Sequence, residues 1–301
     1  MHAFVLQLFS SGQAELSTRQ PDSVEKDRSG REVAVNKFKM LVLSNAVCLE
    51  LLVWAALDDQ DADMICTKII DKMTAQHGHR YVIAHMPLNL TGIQALGKLS
   101  EKFPAIATTI AIPALCDFLL TPSPVLAKLA ITSDSSENSR YHSTTESRMT
   151  KAQQQIHDSS TMGKKRASFD RLRLIAIDSL CRGLKAGLAV ERDCIQACLA
   201  SVSTKLYIAK NSDSVSNVVC ENAIIALGGI GVSLVGYPGV SEAILQIYHQ
   251  RFSNPPTPLD TLIITCLADM IIAGCTTIYD EVMKMFTRIT IESSSGSYSP
   301  V

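Results

Sequence analysis

Residues 172–188 read LRLIAIDSLCRGLKAGL, and the apolar or small positions Leu172, Ile175, Ala176, Ser179, Leu180, Gly183, Leu184 and Gly187 recur every three or four residues. That period puts them on one face of an α-helix. The same spacing returns in Ile195, Cys198, Leu199, Val202 and Leu206, in Ala223, Leu227, Ile230 and Leu234, and in Leu262, Cys266, Met270 and Ile271. Helix centres near Leu180, Leu227 and Leu267 lie 47 and 40 residues apart, and the following helices, centred near Leu199, Ile247 and Phe286, lie 48 and 39 apart. Upstream, Lys37 to Leu57 with Asp61 to Ala75, and Leu88 to Phe103 with Ala105 to Leu120, supply two more pairs. A helix pair repeated every ~40–47 residues has the period of HEAT and armadillo arrays. One pair cannot bury its apolar face alone, so neighbours must stack. The sequence therefore predicts an all-α chain, an α-solenoid of stacked HEAT- or armadillo-like helix pairs with long disordered linkers; a compact helical bundle is the alternative.

Punctuation supports the helix boundaries. In Thr257-Pro258-Leu259-Asp260 the threonine can cap, the proline sits where its missing N–H costs nothing, and the aspartate holds the capping-box position. Ser123-Pro124 repeats the arrangement, and Pro104 separates two helices. Between about Ser10 and Glu32 the text is polar and aperiodic, as a loop would be. From Thr132 to Ser168 it is rich in Ser, Thr and Gln, with too few large apolar residues to offset the entropy of ordering. Such an insertion is tolerable between stacked units because closure entropy grows slowly with length. The resulting plan has a partial helix and polar loop over 1–36, a first helical block over 37–131, a disordered linker over 132–168, a second block of about three helix pairs over 169–291, and a Ser-rich tail over 292–301 that reads as truncated.

Composition narrows the function classes. The chain has 301 residues, 47% hydrophobic and 19% charged, enough to bury a large core. Aromatics make up only 5%, with Trp54 the single tryptophan, which suits stacked helices better than sheets. A net charge of -1 leaves no basic excess for a phosphate backbone, so no nucleic-acid partner is expected, and little pull toward anionic lipid. Nine cysteines lie scattered in helix-like text without a CxxC pair, and Cys194 with Cys198 has no nearby histidine to complete a zinc set. Buried, reduced thiols in the cytosol are the expectation. The opening MHAFVLQLF lacks a basic region before its apolar run, and Asn89-Leu90-Thr91 is a chance-level sequon. Asn222 to Ser241 is uncharged and long enough for a membrane span, but Gly236 to Gly239 reads as a turn ending one helix before the next.

Catalytic constellations do not emerge. Gly228-Gly229-Ile230-Gly231 follows no strand and precedes no Lys-Ser/Thr, so close helix packing explains it better than a phosphate cradle. His77, His79 and His85 read as a solvated loop. Asp58, Asp59, Asp61 and Asp63 lack the central glycine and terminal glutamate of a calcium loop and read as a helix junction. Asp117-Phe118-Leu119 lacks the glycine of a metal-binding DFG, and no phosphotransfer loop is present. No catalytic, cofactor-binding or metal-ligating residue is therefore assigned. One regulatory candidate stands out: Ser168 follows Lys164-Lys165-Arg166-Ala167 at an expected helix start, where a phosphate would meet unpaired helix N–H groups. The plainer reading makes Ser168 the cap of that helix.

Several longer runs carry a resemblance. CLELLVWAALDDQ (Cys48 to Gln60), IQALGKLSEKFP (Ile93 to Pro104), LCDFLLTPSPVLAKL (Leu115 to Leu129), IAIDSLCRGLKAGL (Ile175 to Leu188) and FSNPPTPLDTLII (Phe252 to Ile264) together resemble the amino-terminal helical region of the phosphatidylinositol 4-kinase type III alpha family. The likeness extends from about Lys37 to Ile291. It implies a non-catalytic solenoid segment of a long lipid kinase that phosphorylates phosphatidylinositol at the 4-position. ATP and Mg would serve the parent's kinase domain, and no cofactor is implied for this chain. The implied partners are a TPR-repeat scaffold, hyccin and a palmitoylated anchor, with homodimerisation and recruitment from the cytoplasm to the plasma membrane through those partners. Because no kinase domain follows within residues 1–301, the chain reads as a fragment, an incomplete gene model or a short isoform. An unrelated HEAT-like adaptor is the alternative.

Overall fold

A computed structural model describes residues 28–74, 86–122, 127, 148–206, 214–252 and 257–295. Among these the regular structure is helical throughout, with no strand. The fold is all-α and solenoid-like in kind, as the repeat spacing predicts. The chain divides into two compact units, Met1–Glu191 and Arg192–Val301.

The first unit contains α1 (Arg28–Ala55), α2 (Asp59–Thr74), α3 (Met86–Lys102), α4 (Ile112–Leu120) and α5 (Arg148–Gly187). Helix α3 lies at its centre, packed against α1, α2 and α5. Its glycines make this possible. A Cβ on Gly97 would stand 3.0 Å from the Cα of Ser179, and one on Gly92 would stand 3.2 Å from Ile69. At Gly97 the obstacle is the α5 backbone itself, so α3 and α5 can cross this closely only where a side chain is missing. Leu96, Leu99, Leu180 and Leu184 fill the surrounding core. Arg182 spans the rim, 3.2 Å from Glu101 and 2.9 Å from Asp178. Its side chain is 44% exposed, so each pair contributes only ~0–1 kcal/mol and burial dominates the crossing. At the end of α3, the Lys102 ammonium donates to the carbonyls of Trp54, at 3.2 Å, and Ala56, closing the C-terminus of α1 with a cation. Before α4, a π turn over Ala107–Ala111 widens the helix just ahead of Pro113, whose ring would otherwise crowd a carbonyl one turn back.

Several boundaries differ from the sequence expectation, and the last helix, Tyr279–Ser295, runs into the expected tail over 292–301. Helix α1 starts at Arg28, not Lys37. Helix α5 starts at Arg148, so the expected linker over 132–168 is helical in its second half. Residues 149–166 contain many strong helix formers (Ala, Gln, Lys, Arg, Met), and extending an existing helix avoids the cost of nucleation. Residues 132–147 lie outside the described residues, as do 1–27, His77, His79, His85, Ser123-Pro124 and 296–301. The unit boundary also falls after Glu191, not at 168, because the apolar face of α5 is buried on α3 and α4. There a Cβ on Gly183 would meet Ile112 at 3.3 Å.

The second unit contains α6 (Cys194–Thr204), α7 (Ser214–Ser233), α8 (Val240–Arg251), α9 (Pro258–Ala273) and α10 (Tyr279–Ser295). These helices contain the centres read from the periodicity. Helix α7 packs chiefly on α9. A Cβ on Gly228 would lie 2.7 Å from the Cβ of Cys266, and one on Gly231 2.6 Å from the terminal methyl of Met270. Tyr248 of α8 is fully buried beside them, its hydroxyl donating to the Ile224 carbonyl at 2.7 Å. Val215–Ser233 is long and apolar enough to cross a membrane, but 61% of that stretch is buried in the protein, as in a core helix. Gly236 and Gly239, at φ 89° and 78°, make the turn that separates α7 from α8, so 222–241 is not one helix. The capping box at Thr257 forms as read: the Asp260 carboxylate accepts from the Thr257 N–H at 2.6 Å, and the Asp260 N–H donates to the threonine hydroxyl at 3.4 Å.

The two glycine contacts of α7 should respond differently to a methyl group. Alanine gains about 1 kcal/mol of helix propensity at either site. At Gly228 it meets a Cβ that moves only with its backbone, so overpacking by ~1–3 kcal/mol prevails and Gly228→Ala lowers stability. At Gly231 it meets a flexible thioether, and Gly231→Ala costs less or nothing. Urea midpoints of both variants measure this order; equal midpoints would mean that the α7–α9 approach does not depend on Gly228.

Candidate functional site

Among the described residues, Asp58, Asp61, Asp117 and Asp260 each hold a helix end. The acidic turn is a cap: the Asp61 N–H donates to the Asp58 carboxylate at 2.8 Å, and the Leu57 N–H donates to the Asp61 carboxylate at 3.0 Å. This reciprocal pair starts α2, with Asp59 and Asp61 favourable at the positive helix end. Asp117 ends α4, its carboxylate accepting the Thr121 hydroxyl. Asp260 is fully buried and held by Thr257, with Arg251 3.9 Å away. The glycine cluster faces Cys266 and Met270 instead of opening a cradle, which removes the nucleotide reading of Gly228 to Gly231.

The cysteines behave as small apolar residues. All nine are free thiols; eight are buried and Cys48 is half-buried. Among the described residues, no group of three His, Cys, Asp or Glu side chains could hold a metal ion. Burial, with a smaller contribution from the Asp63 carboxylate, pushes the Cys66 thiol up to about 12. Burial likewise raises the thiols of Cys220 and Cys275. A protonated buried thiol is a poor nucleophile and a poor ligand.

Ser168 does not sit where the phosphate argument needs it. It lies in the interior of α5, twenty residues after Arg148, and is half-buried. The helix N–H groups there are used within the helix, so neither the capping role nor the docking of a phosphate on a helix start holds. Beside it, Asp170 pairs with Arg166 at 3.2 Å and Arg173 at 2.9 Å.

The conspicuous surface is apolar. On α1 the inward face is core, with Val42, Ala46, Leu49, Leu52 and Val53 all buried. Its outward face carries Met40, Leu43, Val47, Leu51 and Trp54, all exposed, with Trp54 at 74% and Val47 at 56%. Leu57 continues this surface just past the helix end. Sequence reading missed this feature because apolar residues all round a helix give no one-sided period. The usable signal was that absence itself, since such a helix is normally covered on both sides. A groove along α10 is lined, among the described residues, by Asp280, Met283, Lys284, Thr287, Arg288 and Ile291 of that one helix.

The thiol environments lead to a measurement. Native protein at pH 8 should titrate at most Cys48 with a disulfide reagent, and all nine thiols after denaturation. Because Cys66 ionises near 12 folded and about 9 unfolded, its stabilising contribution is complete below pH 9 and is lost as pH rises toward 12. Cys66→Ala should therefore show a shallower fall of urea midpoint between pH 9 and 11 than the parent; an identical slope would contradict the burial argument.

Among the described residues the site therefore consists of stacked helices, aspartates used in caps, and an exposed apolar face on α1. The family model described as the PI4-kinase N-terminal region matches residues 1–300, and the chain belongs to that family.

Proposed function

We propose that this chain is a scaffold segment of a phosphatidylinositol 4-kinase and acts through its helix surfaces, not through chemistry of its own. The observation that carries the proposal is the family match across residues 1–300, which also sets aside an unrelated adaptor. The use of Asp58, Asp61, Asp117 and Asp260 in caps and helix ends supports it further. In the parent reaction, ATP and phosphatidylinositol give phosphatidylinositol 4-phosphate. This segment's part is to support dimerisation and the assembly of a plasma-membrane complex with a TPR-repeat scaffold, hyccin and a palmitoylated anchor. With a net charge of -1 it has little attraction for anionic lipid, so its recruitment from the cytoplasm depends on those partners.

The purified chain should be captured by the reconstituted TPR-repeat scaffold and hyccin, should not sediment with anionic vesicles alone, and should sediment when the anchor complex is added. It should form no phosphatidylinositol 4-phosphate from ATP and phosphatidylinositol. Lipid phosphorylation by the purified chain, or failure of the scaffold proteins to retain it, would refute the proposal.

A further inference from the structure

We infer that residues 1–9, MHAFVLQLF, pack on the outward face of α1 of the same chain and cover it as an intramolecular strap. The face is large enough to need a cover. Met40, Leu43, Val47, Leu51 and Trp54 form one stripe of α1 and Leu57 extends it, exposing on the order of 600 Å² of apolar surface, above the few hundred Å² that a soluble monomer usually leaves uncovered. Residues 1–9 supply a matching chemistry, with His2 and Gln7 their only polar side chains. Phe4 and Phe9 can each bury ~150–250 Å², which suits a face of this size. No other apolar run outside the described residues serves as well: Tyr81 to Ala84 is shorter, and Val125 to Ile131 is interrupted by Lys128.

Connectivity puts this run within reach. Residues 10–27 join it to α1, which begins at Arg28. A stretch of that length spans up to ~60 Å when extended, whereas Met40 and Trp54 lie ~18 and ~39 Å along the helix from Arg28. A segment tethered within reach meets its site at an effective concentration of about 1 mM, roughly a thousandfold above a micromolar partner. A tethered cover therefore prevails over a free one of equal contact area. Charge permits the approach. Glu50 is the only charged residue of α1 between Met40 and Ala55 and is exposed, while residues 1–14 contain no acidic side chain to oppose it. Any partner that takes this face must first displace residues 1–9, which makes the run an intramolecular competitor.

This inference goes beyond the proposed scaffold role and does not depend on it. Trp54, the only tryptophan, lies on the face and reports its cover. On the full 301-residue chain its emission should be blue-shifted and shielded from acrylamide, equally at about 1 and 50 µM, because both lie far below the ~1 mM of a tethered segment. Phe4→Asp with Phe9→Asp should lower the ratio of covered to uncovered face about 100-fold or more, shift the emission to the red and admit the quencher. Phe4→Leu with Phe9→Leu should retain the shielding, and helical circular dichroism should be the same in every variant. Val47→Glu should expose Trp54 as well, and combining it with the two aspartates should add nothing further. Shielding that survives Phe4→Asp with Phe9→Asp, or that grows with protein concentration, would overturn the inference. So would an unaltered chain whose Trp54 emits as in water.

Discussion

Within each unit the packing depends on one constraint: two helices must come together at a point where a side chain has been left out. In the first unit Gly97 lies on the backbone of Ser179, and in the second Gly228 lies on the Cβ of Cys266. These contacts bring the larger side chains into register. Leu96, Leu99, Leu180 and Leu184 interlock around the first, and Ile224, Leu227, Tyr248 and Leu267 around the second. Interiors pack near crystal density, so the absence of a methyl group at the crossing determines how the flanking leucines meet. The hydroxyl of Tyr248 fits because the nearby Ile224 carbonyl accepts it.

With the core fixed this way, polar side chains are left to shape helix ends. Asp58 and Asp61 begin α2, Thr257 and Asp260 begin α9, and Lys102 closes α1. Raised thiol pKa values follow from the same burial, and they suit a protein whose cysteines fill space. Among the described residues, apolar side chains are left outward along α1, at Met40, Leu43, Val47, Leu51 and Trp54.

Much of this was legible in sequence because helix periodicity and capping are local. Thr257-Pro258-Leu259-Asp260 announced its own capping box, and the glycines after Tyr248's carbonyl partner announced close packing. The extent of α5 was not legible, because a run rich in Ser, Thr and Gln is polar whether it is a loop or the outer turns of a long helix. Its allegiance to the first unit was hidden for a different reason: which helix Leu172 or Leu180 covers is a tertiary fact that a period cannot carry. Ser168 was misplaced as a consequence. The α1 surface stayed hidden because Met40, Val47 and Trp54 alternate with the equally apolar Val42, Leu49 and Val53, so composition promised burial on every side.

The central claim is that this chain contributes surfaces, and no catalytic group, to a phosphatidylinositol 4-kinase. Its most direct test compares lipid kinase turnover of a parent assembly lacking this segment with that of the unaltered assembly, on phosphatidylinositol in detergent micelles and in membranes. The account predicts equal turnover in micelles, where recruitment is irrelevant, and reduced turnover on membranes. Loss of turnover in micelles by an assembly that remains folded would contradict it.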